Sequence, residues 1–184
     1  MQNQMGWIFL PDPLSDGRRF GSLSSQMQKE FENTETLIFD EDGRFLSRLR
    51  TALQGMRGRC RKVGVAAEGH MSGAAVSLAA QLPVDEILLM DSRIFTPGER
   101  KTKAQRQLAR IAGFARRNLS LVVADAVLVD CAPAELRRLL RFLVNGSVRI
   151  VHSGPEGMDN LWRKDESCTF KPRSIFKTPG VYPK

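Results

Sequence analysis

The sequence has few of the residues that build metal centres and disulfide frameworks. It contains three cysteines, Cys60, Cys131 and Cys168, and only two histidines in 184 residues. An odd number of widely separated cysteines is typical of proteins in a reducing compartment. We therefore expect no metal site and a cytoplasmic location.

Long apolar segments are also missing. No run of about 18 apolar residues is present, as a membrane-spanning helix would require. The first residues, Met1 to Met5, do not show the charged region and apolar segment of a secretory signal. With 42% hydrophobic and 26% charged residues, the composition is that of a globular protein with one sizeable core. We expect no membrane insertion.

Positive charge is in excess and unevenly distributed. The net charge is +8, with seven basic and no acidic residues from Arg44 to Lys62. From Arg93 to Asn118 there are eight basic residues and one acidic residue. Such segments favour anionic partners, although solvated helix faces have the same composition. Three residues could form a track for phosphates: Arg106, Arg110 and Arg117. Nucleic-acid binding is therefore one hypothesis, ranked below protein contact because few aromatic residues accompany the charge.

Apolar runs alternate with segments of helical periodicity along most of the chain. The runs predict strands at Trp7–Leu10, Thr36–Phe39, Val63–Ala67, Ile87–Met90, Val122–Val123 together with Ala126–Val129, and Val148–Val151. This alternation predicts an α/β fold with three layers, namely a doubly wound, mostly parallel sheet of about six strands between helices. We expect residues 1–160 to form the single domain. Residues 161–184, basic and containing three prolines, are expected to form an extended tail on the surface or on a neighbouring subunit.

The third predicted strand runs directly into Gly69-His70-Met71-Ser72-Gly73 and a helix of small residues. A glycine two residues either side of a central residue is the pattern of a nucleophile elbow, whose central residue lies in strained backbone. The central residue here is Met71. A thioether has no proton to lose, so this turn is predicted to have the elbow conformation without its chemistry.

The order of these segments resembles the α/β-hydrolase fold over roughly residues 6 to 158. Leu10-Pro11-Asp12-Pro13 looks like the strand end that carries the oxyanion loop, and Phe39-Asp40-Glu41-Asp42-Gly43 resembles the acidic end of the next strand. The elbow has Met71 in the place of the serine. The family's usual first hairpin is missing, and there is room for at most a reduced lid.

The resemblance implies a catalytic site that is altered at each position. Besides Met71, the oxyanion loop has Pro11 and Pro13, which lack the N–H groups that such a loop supplies. The loop after the sixth strand, Ser153 to Gly157, contains no histidine where the family has its base. We therefore expect a catalytically degenerate α/β-hydrolase-like protein, a pseudoenzyme that acts in binding or assembly.

Ligands of parallel α/β sheets bind beyond the carboxyl ends of the strands. The candidate binding residues there are Asp12, His70, Met71, Ser72 and Asp91. We expect a protein partner or a second copy of the chain, and a small anionic ligand is a further candidate because helix N-termini attract anions. The glycine spacing matches neither a dinucleotide fingerprint nor a Walker loop, so no cofactor is expected.

A small esterase-like serine hydrolase remains the alternative. It would use Ser72, Asp130 and His152, which keep the Ser…Asp…His order of the family. Ser72 would be the first helical residue, which predicts a side chain pointing away from the pocket. His152 lies some four residues before the position where the family has its histidine. His70 is expected to line the pocket or pack against it rather than to serve as a base.

Overall fold

The computed structural model describes residues 5–93, 102–103, 106, 124–135, 147–152 and 169–170. The strands are β1 (Met5–Leu10), β2 (Asn33–Thr36), β3 (Lys62–Glu68), β4 (Glu86–Met90), β5 (Asp125–Val129), β6 (Val148–Val151) and β7 (Thr169–Phe170). The helices are α1 (Arg18–Glu30), α2 (Phe45–Arg59) and α3 (Ser72–Ala79), and a 3₁₀ turn, Gly69–Met71, joins β3 to α3.

The strands form one sheet in the order β2-β1-β3-β4-β5-β6-β7. The first six strands are parallel, and β7 pairs antiparallel with β6 through Val148 and Phe170. This confirms the predicted mostly parallel sheet. Strand β7 belongs to the segment that was expected to form an extended tail, so at least these two residues of that segment lie against the sheet edge.

Helices cover both faces of the sheet and give the three layers that the sequence predicts. The alternating side chains of β1 show this division. Trp7 and Phe9 pack with Phe20, Leu23 and Met27 of α1. Ile8 and Leu10 point to the opposite face, where the core is formed with α2 and α3. Because the central strands are buried on both faces, they read as nearly continuous apolar runs in the sequence.

Strand β2 differs from its predicted position, Thr36–Phe39, by three residues. The strand itself is polar, and the apolar Leu37 and Phe39 follow it and are buried in the core against α2. The position of β2 is therefore set by its pairing with β1 and not by the hydrophobicity of its own residues.

Two other predicted elements can be compared with the structure. Helix α3 ends at Ala79, before the predicted end near Leu82. Of the predicted fifth strand, Ala126–Val129 is confirmed as part of β5, which begins one residue earlier at Asp125, and residues 122 and 123 lie outside the described part of the chain. None of the helices within the described residues is long and apolar enough to cross a membrane.

Candidate functional site at the carboxyl edge of the sheet

Four acidic side chains lie at the ends of four neighbouring parallel strands. Asp12 follows β1, Glu68 ends β3, Asp91 follows β4 and Asp130 follows β5. Because parallel strands end at the same edge of a sheet, these carboxylates from distant parts of the chain come together where ligands of such folds bind. We call this group, together with Arg19, His70 and His152, the carboxyl-edge cluster.

Asp12 and His70 form a partly buried contact within this cluster. Asp12 Oδ2 accepts the backbone N–H of His70 at 3.0 Å and lies 2.8 Å from His70 Nδ1. Its Oδ1 atom accepts the N–H of Leu14 at 2.9 Å. Burial acts to raise the pKa of Asp12, but these hydrogen bonds and the charge of His70 outweigh it, so the pKa lies below its ordinary value. Asp12 is thus an ionised acceptor that ties the loop after β1 to the turn after β3.

Gly69 makes the contact between Asp12 and the turn sterically possible. Its φ of +51° is in the left-handed region, and a Cβ atom at this position would lie 2.1 Å from Asp12 Oδ2. Met71, by contrast, has φ −72° and ψ −14°, ordinary right-handed helical values. The prediction of strained backbone at Met71 is therefore wrong. The 3₁₀ turn runs straight into α3, so Met71 is already helical and Gly69 alone takes the unusual conformation.

Met71 and Ser72 do not reach a solvent-facing site. Met71 is fully buried and belongs to the core that α2 and α3 form with the sheet, although the sequence placed it among the binding residues. Ser72 begins α3 as predicted, and its side chain is buried. Its Oγ atom has no hydrogen-bond partner among the described residues. The turn has therefore placed both side chains in the interior.

Glu68 lies at the carboxyl edge, as its position after the third predicted strand requires, but it was not among the predicted binding residues. Its Oε2 atom accepts the backbone N–H of Asp12 at 3.1 Å, and its side chain is buried. Burial, reinforced by the charges of Asp12 and Asp91, raises the pKa of Glu68 in spite of the hydrogen bonds from the Asp12 N–H and Ser15. An acidic residue that ends a buried strand is the sequence signal that could have identified it.

Arg19 of α1 joins the two remaining carboxylates. Its Nη1 atom lies 2.9 Å from Asp91 Oδ2, and Nη2 is hydrogen-bonded to Asp130. Both aspartates have positive φ, 47° and 50°, and both donate one further backbone hydrogen bond to the adjacent strand, to Val129 and Val151. Each strand thus turns sharply at its aspartate, and Arg19 balances the charges that this places side by side. No sequence signal indicated Arg19, because its role depends on how α1 packs.

The structure brings Asp130 and His152 together but leaves Ser72 apart from them. His152 follows β6 directly, is 81% exposed, and has its Nδ1 atom 3.9 Å from Asp130 Oδ1. The acid and the base of the alternative triad are therefore neighbours. Since Ser72 Oγ has no partner within the described residues, the required contact between nucleophile and base is not formed.

Cys131, next to Asp130, is a further nucleophilic side chain near the edge. It is buried, and its sulfur lies 3.6 Å and 3.7 Å from the carbonyl oxygens of Val129 and Leu89. Burial, reinforced by the neighbouring carboxylates, raises the pKa of the Cys131 thiol to about 11. The thiol is thus protonated at neutral pH and is not a nucleophile.

The remaining predicted site residues lie elsewhere or outside the described part of the chain. Arg106 is exposed, as a basic surface requires. Arg110 and Arg117, together with most of the basic segment that contains them, fall outside the described residues. Within those residues, no group of three or more metal-ligating side chains is placed to hold a metal ion.

Comparison with known proteins supports the fold and leaves the chemistry open. No protein-family model matches the sequence, and no curated protein matches it significantly. Twenty-seven chains of solved structures match. One, reported with the metagenome-derived lipolytic enzymes LipS and LipT, aligns with a TM-score of 0.62 at 11% identity and covers 84% of this chain and 85% of that chain. At this identity the likeness concerns the fold alone. The chain therefore shares the fold of this structure, in agreement with the three-layer, mostly parallel sheet that its sequence predicts.

Proposed function

We propose that this protein is a non-catalytic member of the α/β-hydrolase-like folds that binds a ligand or a protein partner at the carboxyl edge of its sheet. One observation carries the proposal: Met71, at the nucleophile position, is fully buried in the core with relaxed helical backbone. A nucleophile must project into the cleft and contact a base. Met71 does neither, and its thioether has no proton to transfer.

The adjacent hydroxyl group does not replace it. Ser72 Oγ is buried and has no hydrogen-bond partner among the described residues, whereas an activated serine needs a base within about 3 Å. His70, the nearest imidazole in sequence, is engaged with Asp12. These contacts favour binding over acyl transfer.

The accessible part of the cluster favours a particular ligand chemistry. Asp91 and Asp130 are partly exposed and His152 is exposed, so carboxylate and imidazole groups face solvent at this edge. Within the carboxyl-edge cluster as the described residues define it, four carboxylates accompany one guanidinium, that of Arg19, and the resulting negative field opposes anions. A ligand or partner side chain with amino or hydroxyl groups therefore suits the edge better than the anionic ligand expected from the sequence.

A fluorophosphonate probe tests the proposal directly. We expect no labelling of the full chain under conditions in which an active serine hydrolase in the same tube is labelled. Labelling of this protein that disappears in Ser72→Ala would contradict the proposal. Cys131 does not complicate the assay, because its thiol is protonated at neutral pH.

A serine esterase is the second candidate, and the proximity of Asp130 and His152 is the observation that favours it. In that case Asp130 would orient His152, and the start of α3 would have to move to bring Ser72 within reach. Hydrolysis of short-chain p-nitrophenyl esters distinguishes the two functions. An esterase requires loss of activity in both Ser72→Ala and His152→Gln, whereas a binding protein gives the same background rate for all three proteins.

A further inference from the structure

Within the described residues, strand β2 forms an open edge of the sheet. It pairs with β1 on one side, and no other strand pairs with it within the described residues. The N–H of Leu37 donates to Phe9 O on β1 at 2.9 Å. Because the peptide groups of successive residues in a strand point to opposite sides, those of Thr34 and Thr36 point away from β1. These outward-pointing N–H and C=O groups can form hydrogen bonds with an added strand.

The segment around this edge is strongly acidic. Residues 30–42 contain six acidic residues and no basic residue, in a chain whose net charge is +8. The acidic residues are Glu30, Glu32, Glu35, Asp40, Glu41 and Asp42. The segment also carries Ile38, which is 60% exposed. We call residues 30–42 the acidic edge.

The acidic edge already attracts basic side chains within the molecule. Asp40 is ion-paired with Arg48, and Glu41 lies 3.6 Å from Lys103 Nζ. The same charges oppose the pairing of two copies of β2 with each other, because carboxylates would then face carboxylates. A partner that matches both the charge and the backbone groups of this edge is an extended strand with basic side chains.

The chain itself contains a segment of this kind. Residues 171–184 include four basic residues and no acidic residue. Within them, residues 173–178 (Arg-Ser-Ile-Phe-Lys-Thr) lie between Pro172 and Pro179 and contain no proline. Ile175, Phe176 and Thr178 are residue types that favour strands, and a proline-free run of this length can supply its N–H groups to a ladder.

The position of β7 determines which molecule can donate this segment. Only Lys171 and Pro172 separate it from β7, which lies at the opposite edge of the sheet from β2. In one molecule the two edges are about 29 Å apart, from six strand spacings of about 4.8 Å. Two residues cannot span this distance, so the segment does not reach β2 of its own molecule. When the β7 edge of one molecule lies beside the β2 edge of another, the segment can reach β2 of that second molecule.

We propose that residues 173–178 of a second copy add as a strand to the open edge of β2. Basic side chains of the donor then lie beside Glu32 and Glu35, and its backbone pairs with Thr34 and Thr36. The contact is heterologous, so each molecule donates one edge and accepts at the other, and association increases with concentration. The inference does not depend on the function of the carboxyl-edge cluster.

Sedimentation velocity of the full chain over a wide range of protein concentration tests the association. We expect a mass that rises with concentration and rises less at high salt, because the contact joins opposite charges. Reversing either side, with Glu32→Lys and Glu35→Lys or with Arg173→Glu and Lys177→Glu, is expected to weaken association by about tenfold or more. Combining the four substitutions is expected to restore it. A mass independent of concentration, or one unaffected by both reversals, overturns the proposal.

Two further measurements test strand addition itself. Thr36→Pro removes an outward N–H without removing a bond to β1, so it is expected to abolish association, whereas Thr36→Ala is expected to retain it. Amide hydrogen exchange is expected to slow on association at Thr34 and Thr36, with no change at Glu35 and Leu37. Unchanged exchange at Thr34 and Thr36 rules out strand addition. Protection of these amides in a monomer also overturns the proposal, because β2 is then paired with a segment of its own molecule and not with a second copy.

Discussion

The Nδ1 atom of His70 lies 2.8 Å from the Oδ2 atom of Asp12, so the turn after β3 is held against the loop after β1. The same carboxylate oxygen accepts the N–H of His70. Two segments that are 58 residues apart in sequence therefore meet at one oxygen atom. In a catalytic elbow this turn would present a nucleophile; here it presents backbone and imidazole groups to an acidic residue.

The first prediction concerns Gly69→Ala, which should destabilise the protein. A non-glycine residue in left-handed backbone costs about 1–2 kcal/mol, and the added Cβ would also displace the carboxylate of Asp12. We expect the free energy of unfolding, measured in urea, to fall by about 2 kcal/mol or more. Gly55→Ala is the matched control, since Gly55 is exposed in α2 with no atom in the way, and it should raise the value by about 0.5–1 kcal/mol. Equal stability of the two variants would contradict the role assigned to Gly69.

The second prediction is that Glu68→Gln stabilises the protein at neutral pH. The pKa of Glu68 is raised in the folded state, so between its ordinary value and the raised value the folded protein binds more protons than the unfolded chain. Stability therefore falls as the pH rises through this window and stays lower above it. A glutamine keeps an oxygen that can accept the N–H of Asp12 but does not ionise.

Thermal unfolding as a function of pH measures this effect. We expect Glu68→Gln to have the higher melting temperature at pH 7, with an advantage that shrinks as the pH falls towards the ordinary value of 4.5 and is lost below it. Asp16→Asn, at an exposed position outside the carboxyl-edge cluster, controls for the loss of one negative charge and keeps an oxygen that can accept the N–H of Arg18. A variant that is less stable than the wild type at neutral pH would show that the charged form of Glu68 is favoured in the folded protein.

The third prediction concerns Arg19, which bridges Asp91 and Asp130. Because its side chain is 47% exposed, solvent screens both ion pairs, and Arg19→Gln should lower the free energy of unfolding by only about 1 kcal/mol or less. The loss should be largest at low salt, where the two carboxylates repel each other most. Arg18→Gln, at the neighbouring exposed position, is the control. Thermal unfolding at two salt concentrations measures the difference, and a loss independent of salt would argue against an electrostatic role.

Much of the fold follows from the sequence because the central strands are buried on both faces. β1, β3 and β4 are continuous apolar runs, and their ends are predicted to within two residues. The edge strand β2 is misplaced because its residues are polar and its pairing with β1 determines its limits. The residues of β2 themselves do not indicate that β1 is the strand with which they pair.

The sequence predicts those site residues whose positions follow from the sheet topology alone. It does not predict those whose positions depend on how side chains and helices pack. A parallel sheet requires Asp12, Asp91 and Asp130 to lie at one edge, and they do. The orientation of Met71 was not predictable, because the same glycine spacing fits a strained elbow and a relaxed 3₁₀ turn. Arg19 was missed for a related reason, since its two partners are more than 70 residues away in the sequence.

The fourth prediction separates a core role for Met71 from a position in an active site. Met71→Leu keeps volume and hydrophobicity, so we expect a loss of less than about 1.5 kcal/mol in the free energy of unfolding. Met71→Ser removes most of the buried side chain and adds a buried hydroxyl, so we expect a loss of about 3 kcal/mol or more. Both values can be measured in urea.

The serine variant also tests whether the turn could act as an elbow. Its hydroxyl would lie in the core among the side chains of α2 and α3, away from Asp130 and His152. We therefore expect the folded Met71→Ser protein to remain unlabelled by a fluorophosphonate. If it were labelled with its stability unchanged, residue 71 would face a cleft and the turn would have the geometry of a nucleophile elbow. Loss of stability without labelling instead means that this turn is built around an apolar side chain, so that one added hydroxyl cannot supply a nucleophile.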